Sequence, residues 1–179
     1  QAYIKASNAE ADDSFGAHVK LSADGSTLAV SALREASNAT GINGDQTNND
    51  EAYAGAVYVF SNDGGNWSQQ AYIKSPLSLT EYYFGDSLGL TSDGNTLVVG
   101  SIGEASNATG INGDQTDTSL LYIGAAFSFK RTNGVWQQDA YIKPSRSVSD
   151  IGFGSSIAIN DGASIMAIGA TSEASSAQG

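Results

Sequence analysis

The chain of 179 residues contains no cysteine. Disulfides and thiolate metal sites are thereby excluded, and the redox compartment stays open. Basic residues are scarce: 8 Lys and Arg stand against 19 Asp and Glu, a formal net charge of −11. Such a surface repels nucleic-acid phosphates and anionic bilayers, so neither is expected as a partner. Cations and neutral sugars are compatible with it. No apolar run approaches the ~18 residues of a membrane-spanning helix, so no membrane insertion is expected. No basic segment leads into an apolar core, so no signal peptide is visible; a mature secreted chain would lack one. There is one histidine, and neither a G-x-S-x-G nor an H-E-x-x-H pattern occurs. Proline is rare at 2 residues while glycine is abundant at 21.

What is present is a set of short apolar runs separated by Gly, Ser, Thr, Asn and Asp. That texture implies an all-β protein rich in turns. It also repeats. AYIK occurs at Ala2–Lys5, Ala71–Lys74 and Ala140–Lys143, and FG at Phe15-Gly16, Phe84-Gly85 and Phe153-Gly154. Trp67 is matched by Trp136, and Gly55-Ala56 by Gly124-Ala125, each 69 positions on. The third copy slips by one at Asp161-Gly162 and recovers by Gly169.

Each unit carries four strand-like runs. In the first, Ala17, Val19 and Leu21 alternate with His18, Lys20 and Ser22, the period of a half-buried strand. Asp24-Gly25 is a hairpin signal. TLAVSA at Thr27–Ala32 is the second run. GAVYVF at Gly55–Phe60 is apolar on both faces and is expected inside the sheet. The fourth is WSQQAYIK at Trp67–Lys74. No amphipathic helix is evident. Four antiparallel strands at a constant period imply β-propeller blades, with a β-solenoid or an open stack of small sheets as the alternative.

The ordered set FG, DG, GAVYVF and W-x-Q resembles the FG-GAP repeats of integrin α-subunit propellers. The resemblance is closer to the bacterial branch of integrin-like repeat proteins, whose units carry a similar SNATGINGDQ insertion. The resemblance covers the whole chain and implies an extracellular or cell-surface location. It departs from the family at the GAP tripeptide, which reads Ser31-Ala32-Leu33, Gly100-Ser101-Ile102 and Gly169-Ala170-Thr171. It departs also between the first two strands. There SADGST (Ser22–Thr27) and TSDGNT (Thr91–Thr96) are too short and too poor in acids to wrap a Ca²⁺ ion, which takes about six to eight oxygens.

The expected division is residues 1–14 as the last strand of a preceding blade plus linker, 15–83 and 84–152 as full blades, and 153–179 as a two-stranded partial blade. One strand, then four, four and two do not close a ring. A window of a longer array, or a repetitive assembly of shared or three-stranded blades, accounts for that count. Two sheet edges are left unpaired and are expected to recruit adjacent repeats or other copies.

EASNATGINGDQT runs from Glu35 to Thr47 and again from Glu104 to Thr116. The flanking strands diverge while the loop does not; ALREAS against SIGEAS stops differing at the glutamate. An ordered loop with its own hydrogen bonds is expected, anchored by Ile42 and Ile111. Glu35, Asn43, Asp45 and Asp50 supply oxygens in one copy, and Glu104, Asn112, Asp114 and Asp117 in the other. Oxygen-only ligands favour Ca²⁺ over zinc or copper. The same residues are equally the vocabulary of a self-bonded turn, and a glycan or protein contact is the third reading. Asn38, Asn107 and Asn66 open N-x-[ST] glycosylation patterns. His18, matched by Ser87 and Ser156, reads as a surface residue of a strand. Asp12, Glu81 and Asp150 each precede an FG pair by three and are expected to accept turn N–H groups.

These readings point away from an enzyme. They favour a non-catalytic module that presents blade-edge loops to a protein or glycan in adhesion. The alternative is a filament or matrix subunit joined through open sheet edges.

Overall fold

The computed structural model describes residues 2–173. Among them are ten strands and no helix. The strands are β1 (Phe15–Leu21), β2 (Thr27–Ala32), β3 (Ala56–Asp63), β4 (Asn66–Ile73), β5 (Phe84–Leu90), β6 (Thr96–Ser101), β7 (Ala125–Thr132), β8 (Val135–Ile142), β9 (Phe153–Ile159) and β10 (Met166–Ala170). They form two four-stranded antiparallel sheets, β1-β2-β3-β4 and β5-β6-β7-β8, and a two-stranded sheet of β9 and β10. The doubly apolar run lies within β3, an interior strand, as its pattern requires. No closed ring forms among the described residues.

Local chemistry sets each element. In the β1–β2 turn Asp24 accepts bonds from Ser22 Oγ at 2.7 Å and Ser26 N at 2.9 Å, and Gly25 takes φ 69°. Asp93 does the same for Thr91 and Asn95. Both short turns are closed by their own side chains. The FG pairs mark irregularities at the start of β1 and β5, where the pairing register shifts between Phe15 and Val19 and between Phe84 and Ser87. Gly16 sits at φ 96° and Gly85 at 104°, which side chains rarely tolerate.

One apolar cluster joins the first two sheets. It brings Val57, Val59, Ala71 and Ile73 against Leu88, Leu97, Val99, Phe127 and Phe129. Arg131 ties the sheets as well, donating to Thr27 Oγ1 and Gln70 Oε1 at 2.9 Å each. The third sheet packs against the second so closely that a Cβ on Gly100 would lie 2.0 Å from the Gly154 carbonyl oxygen. A second cluster, including Val30, Ala32, Tyr58, Phe60 and Tyr72, lies on the other side of the first sheet, with Ile4 and Ala6 of the leading segment packed in it. Residues 2–5 carry no strand. Chemically they are another AYIK, but they have no hydrogen-bonded ladder beside them.

Candidate functional site

The repeated segments lie in the two long connections, residues 33–55 between β2 and β3 and residues 102–124 between β6 and β7. As the chain leaves β2, Glu35 turns inward and its side chain is 1% exposed. It meets Lys74, 0% exposed, with Nζ donating to Oε2 at 2.7 Å. Tyr72 OH donates to Oε1 at 2.8 Å, and Asn8 Nδ2 to the same oxygen at 3.0 Å. In the second connection Glu104 accepts from Lys143 Nζ, from Tyr141 OH at 2.7 Å and from Ser106 N at 3.1 Å. Burial lowers the pKa of both lysines, and the paired glutamate opposes that shift. Burial raises Glu104, with Lys143 pulling it back down. Desolvation is thus the largest influence on these groups, and only the close pairing makes their burial tolerable.

The same segments close the outer edges of the sheets. Gly41 O accepts Lys74 N at 2.8 Å, and Asn43 N donates to Tyr72 O at 2.7 Å. Asn43 Oδ1 accepts Tyr72 N at 2.9 Å. Gly110, Asn112, Tyr141 and Lys143 repeat this pattern on β8. The backbone of Ile42 bridges Ile73, and that of Ile111 bridges Ile142. Of the two expected apolar anchors only Ile42 packs against the core, because the Ile111 side chain is 69% exposed. Asn43 and Asn112 take φ 57° and 56°, a conformation asparagine tolerates better than most residues. The outer edges of β4 and β8 are therefore covered in part by their own chain, not left open.

The eight proposed metal ligands do not converge. Glu35 and Glu104 face lysines inside, and Asn43 and Asn112 spend their oxygens on the sheet edge. Asp45 and Asp114 cap Thr47 and Thr116, whose hydroxyls and amides hold both carboxyls below the usual range. Asp50 accepts Asn38 Nδ2 at 3.0 Å, and Asp117 accepts Asn107 N at 2.9 Å and Ser119 N at 3.1 Å. No group of three or more His, Asp or Glu able to hold a metal occurs among the described residues. The set does not fit Ca²⁺: its oxygens are dispersed, and two of its carboxylates are already neutralised by lysine.

Asn38, Asn66 and Asn107 are all exposed. His18 is an exposed residue of β1. Among the described residues none of Asp12, Glu81 and Asp150 accepts a turn N–H through its carboxylate. Asp13 does, from Glu10 N at 3.0 Å. What the three share is a left-handed backbone, φ 71°, 62° and 65°.

One concave feature stands beside the first long connection. Glu10, Asp12, Asp13, Arg34, Asn49 and Tyr53 line a cleft of about 340 Å³. The Arg34 guanidinium lies 5.6 Å from the Tyr53 ring centre, and Tyr53 stacks on Tyr83 at 5.9 Å. Residue-by-residue reading missed this group and the buried lysines alike. The signal for the lysines was in hand, since AYIK ends in lysine in every copy.

No protein-family model matches the chain, and no curated protein matches it.

Proposed function

We propose that the chain is a non-catalytic, extracellular interaction module built of propeller-type blades. Its ligand is a neutral glycan held at the loop end of the first sheet. The observation that carries this reading is the cleft of about 340 Å³ whose wall combines Arg34, Tyr53 and the polar groups of Asp13, Asn49 and Glu10, with Tyr83 stacked on Tyr53 outside the wall. A ligand cleft typically pairs aromatic area with a few placed polar groups. A sugar ring offers C–H groups to an aromatic face and hydroxyls to carboxylates and amides. The acidic surface disfavours anionic ligands. The buried Glu35–Lys74 pair fixes the connection that bears Arg34 and Tyr53, which lowers the ordering cost of binding. The blade reading is supported by two sheets of identical strand order stacked face to face, each entered through an FG irregularity.

The test is an array of neutral and acidic oligosaccharides probed with the full chain, followed by calorimetry on any hit. Binding to neutral sugars that falls at least ~10-fold in Tyr53→Ala, the loss of roughly 1.4 kcal/mol, agrees with the proposal. Absence of any neutral-glycan binding contradicts it.

A structural role, as a subunit of a filament or matrix, has one observation in its favour. Val19 and Leu21 on β1 are 53% and 57% exposed, whereas Leu88, the counterpart of Val19 in β5, is 3% exposed beneath the first sheet. Sedimentation across a concentration series separates the two readings, because a filament subunit grows without limit and a binding module does not.

A further inference from the structure

The two buried glutamates differ in one neighbour. Glu104 receives a backbone amide, Ser106 N, beside its lysine and tyrosine. Glu35 instead receives a side-chain amide, Asn8 Nδ2 at 3.0 Å on Oε1, while Lys74 Nζ sits at 2.7 Å on Oε2. One carboxylate thus holds a lysine amine and an asparagine amide on its two oxygens. Asn8 Oδ1 in turn accepts a bond from Tyr58 OH at 2.5 Å. The amide carbonyl is polarised from one side and its nitrogen is held from the other. The position corresponding to Asn8 in the next unit is Leu77.

This geometry leads us to infer that Lys74 and Asn8 become joined by an intramolecular isopeptide bond, formed by the chain itself with Glu35 carrying the protons. The Lys74 ammonium passes a proton to Glu35, and the neutral amine attacks Asn8 Cγ. A C–N bond forms, and the negative charge on Oδ1 is met by the Tyr58 hydroxyl. Glu35 hands its proton to the amide nitrogen, and the Cγ–Nδ2 bond breaks. The lysine nitrogen gives up two protons in all, and the departing nitrogen takes up both. Ammonium leaves, Glu35 ends as it began, and no electron changes hands. The environment serves each step. Burial favours the neutral amine of Lys74, against the opposing pull of Glu35, Asp13 and Glu51. Burial also keeps the Tyr58 hydroxyl protonated and able to donate. The bond would tie the leading segment across the first sheet, in a chain that has no cysteine to do so.

The second unit is an internal control, because Lys143 faces Glu104 with no side-chain amide to attack. The full chain is incubated at neutral pH and denatured; one portion is digested with trypsin, and another is treated with an amine-labelling reagent and digested with a protease that does not cut at lysine. The inference predicts a branched peptide joining residues 6–20 to the segment bearing Lys74. Lys74 escapes the label and resists cleavage, whereas Lys143 is labelled. Loss of one ammonia from the intact mass is not decisive alone, since an N-terminal glutamine loses ammonia on cyclising. Asn8→Leu, which installs the residue found in the second unit, abolishes the branch without removing the ion pair. Glu35→Gln slows its formation at least ~100-fold, the usual scale for a positioned acid–base group. Full labelling of Lys74 in the parent chain overturns the inference. So does a branch that forms equally fast in a folded Glu35→Gln variant.

Discussion

A lysine with no exposed side chain needs a counter-charge, and here each buried lysine has one glutamate. Removing either partner leaves a charge inside. Glu104→Gln is expected to destabilise the chain by about 3–5 kcal/mol, read from the urea midpoint. Replacing both members, Glu104→Leu with Lys143→Met, is expected to recover most of that loss. The surface carboxylates act in the opposite sense. Hydrogen bonds from Ser22 and Ser26 hold Asp24 at about 2, below its ordinary 3.8. Asp45, Asp93, Asp114 and Asp117 are lowered by the same kind of bond. As pH falls, the unfolded chain therefore takes up these protons before the folded chain does. The stability these turns supply is present above pH 3.8 and is lost progressively toward pH 2. Thermal melts between pH 5 and pH 2 would show a falling Tm, and Asp24→Asn would flatten part of the slope.

The long connections earn their fixed sequence as elements, because one stretch of chain does two jobs. Its glutamate enters the interior, and its Gly-Ile-Asn segment covers the outer sheet edge. Asn43→Ala removes the bond to Tyr72 N and places alanine at φ 57°. A loss of about 1–2 kcal/mol is expected, with faster hydrogen exchange at Tyr72. Gly100→Ala places a Cβ against the Gly154 carbonyl, so the third sheet should detach or shift before the first two unfold. Much of this level was legible in the sequence. Alternation in Ala17–Leu21 and the Asp-Gly turns located β1 and β2, and the doubly apolar GAVYVF located β3. The burial read from that alternation failed, because Ala17, Val19 and Leu21 are exposed on a strand face with nothing packed over it among the described residues. The identity of the two connections announced an ordered loop. Its partners were not legible, because Glu35 and Lys74 meet across 39 positions. A carboxylate reads as a metal ligand or a salt bridge only once its neighbour is known. The strand expected near Ala2–Lys5 failed for a related reason. Composition sets the propensity of AYIK, but a ladder beside it decides whether it pairs.

At the scale of the molecule, three sheets stack face to face around apolar clusters, and the two long connections cover the outer edges of β4 and β8 in part. Its candidate oxygens are spent on lysines, turns and sheet-edge amides, and no acidic group able to hold a metal occurs among the described residues. EDTA and added Ca²⁺ are accordingly expected to leave Tm unchanged within about 1 °C, since the dispersed carboxylates bind the ion too weakly to shift folding. A larger calcium-dependent rise would show that these oxygens converge in solution.

The repeated segment is a fixed cover for its sheet edge, locked by a buried ion pair. Residue-resolved hydrogen exchange of the full chain at neutral pH tests this directly at the amides of Tyr72, Lys74, Tyr141 and Lys143. The account predicts protection close to that of the interior strands β3 and β7, lost at Tyr141 and Lys143 in Glu104→Gln while Tyr72 and Lys74 keep theirs. Exchange of these four amides at the rate of an open edge strand in the unaltered chain would contradict it.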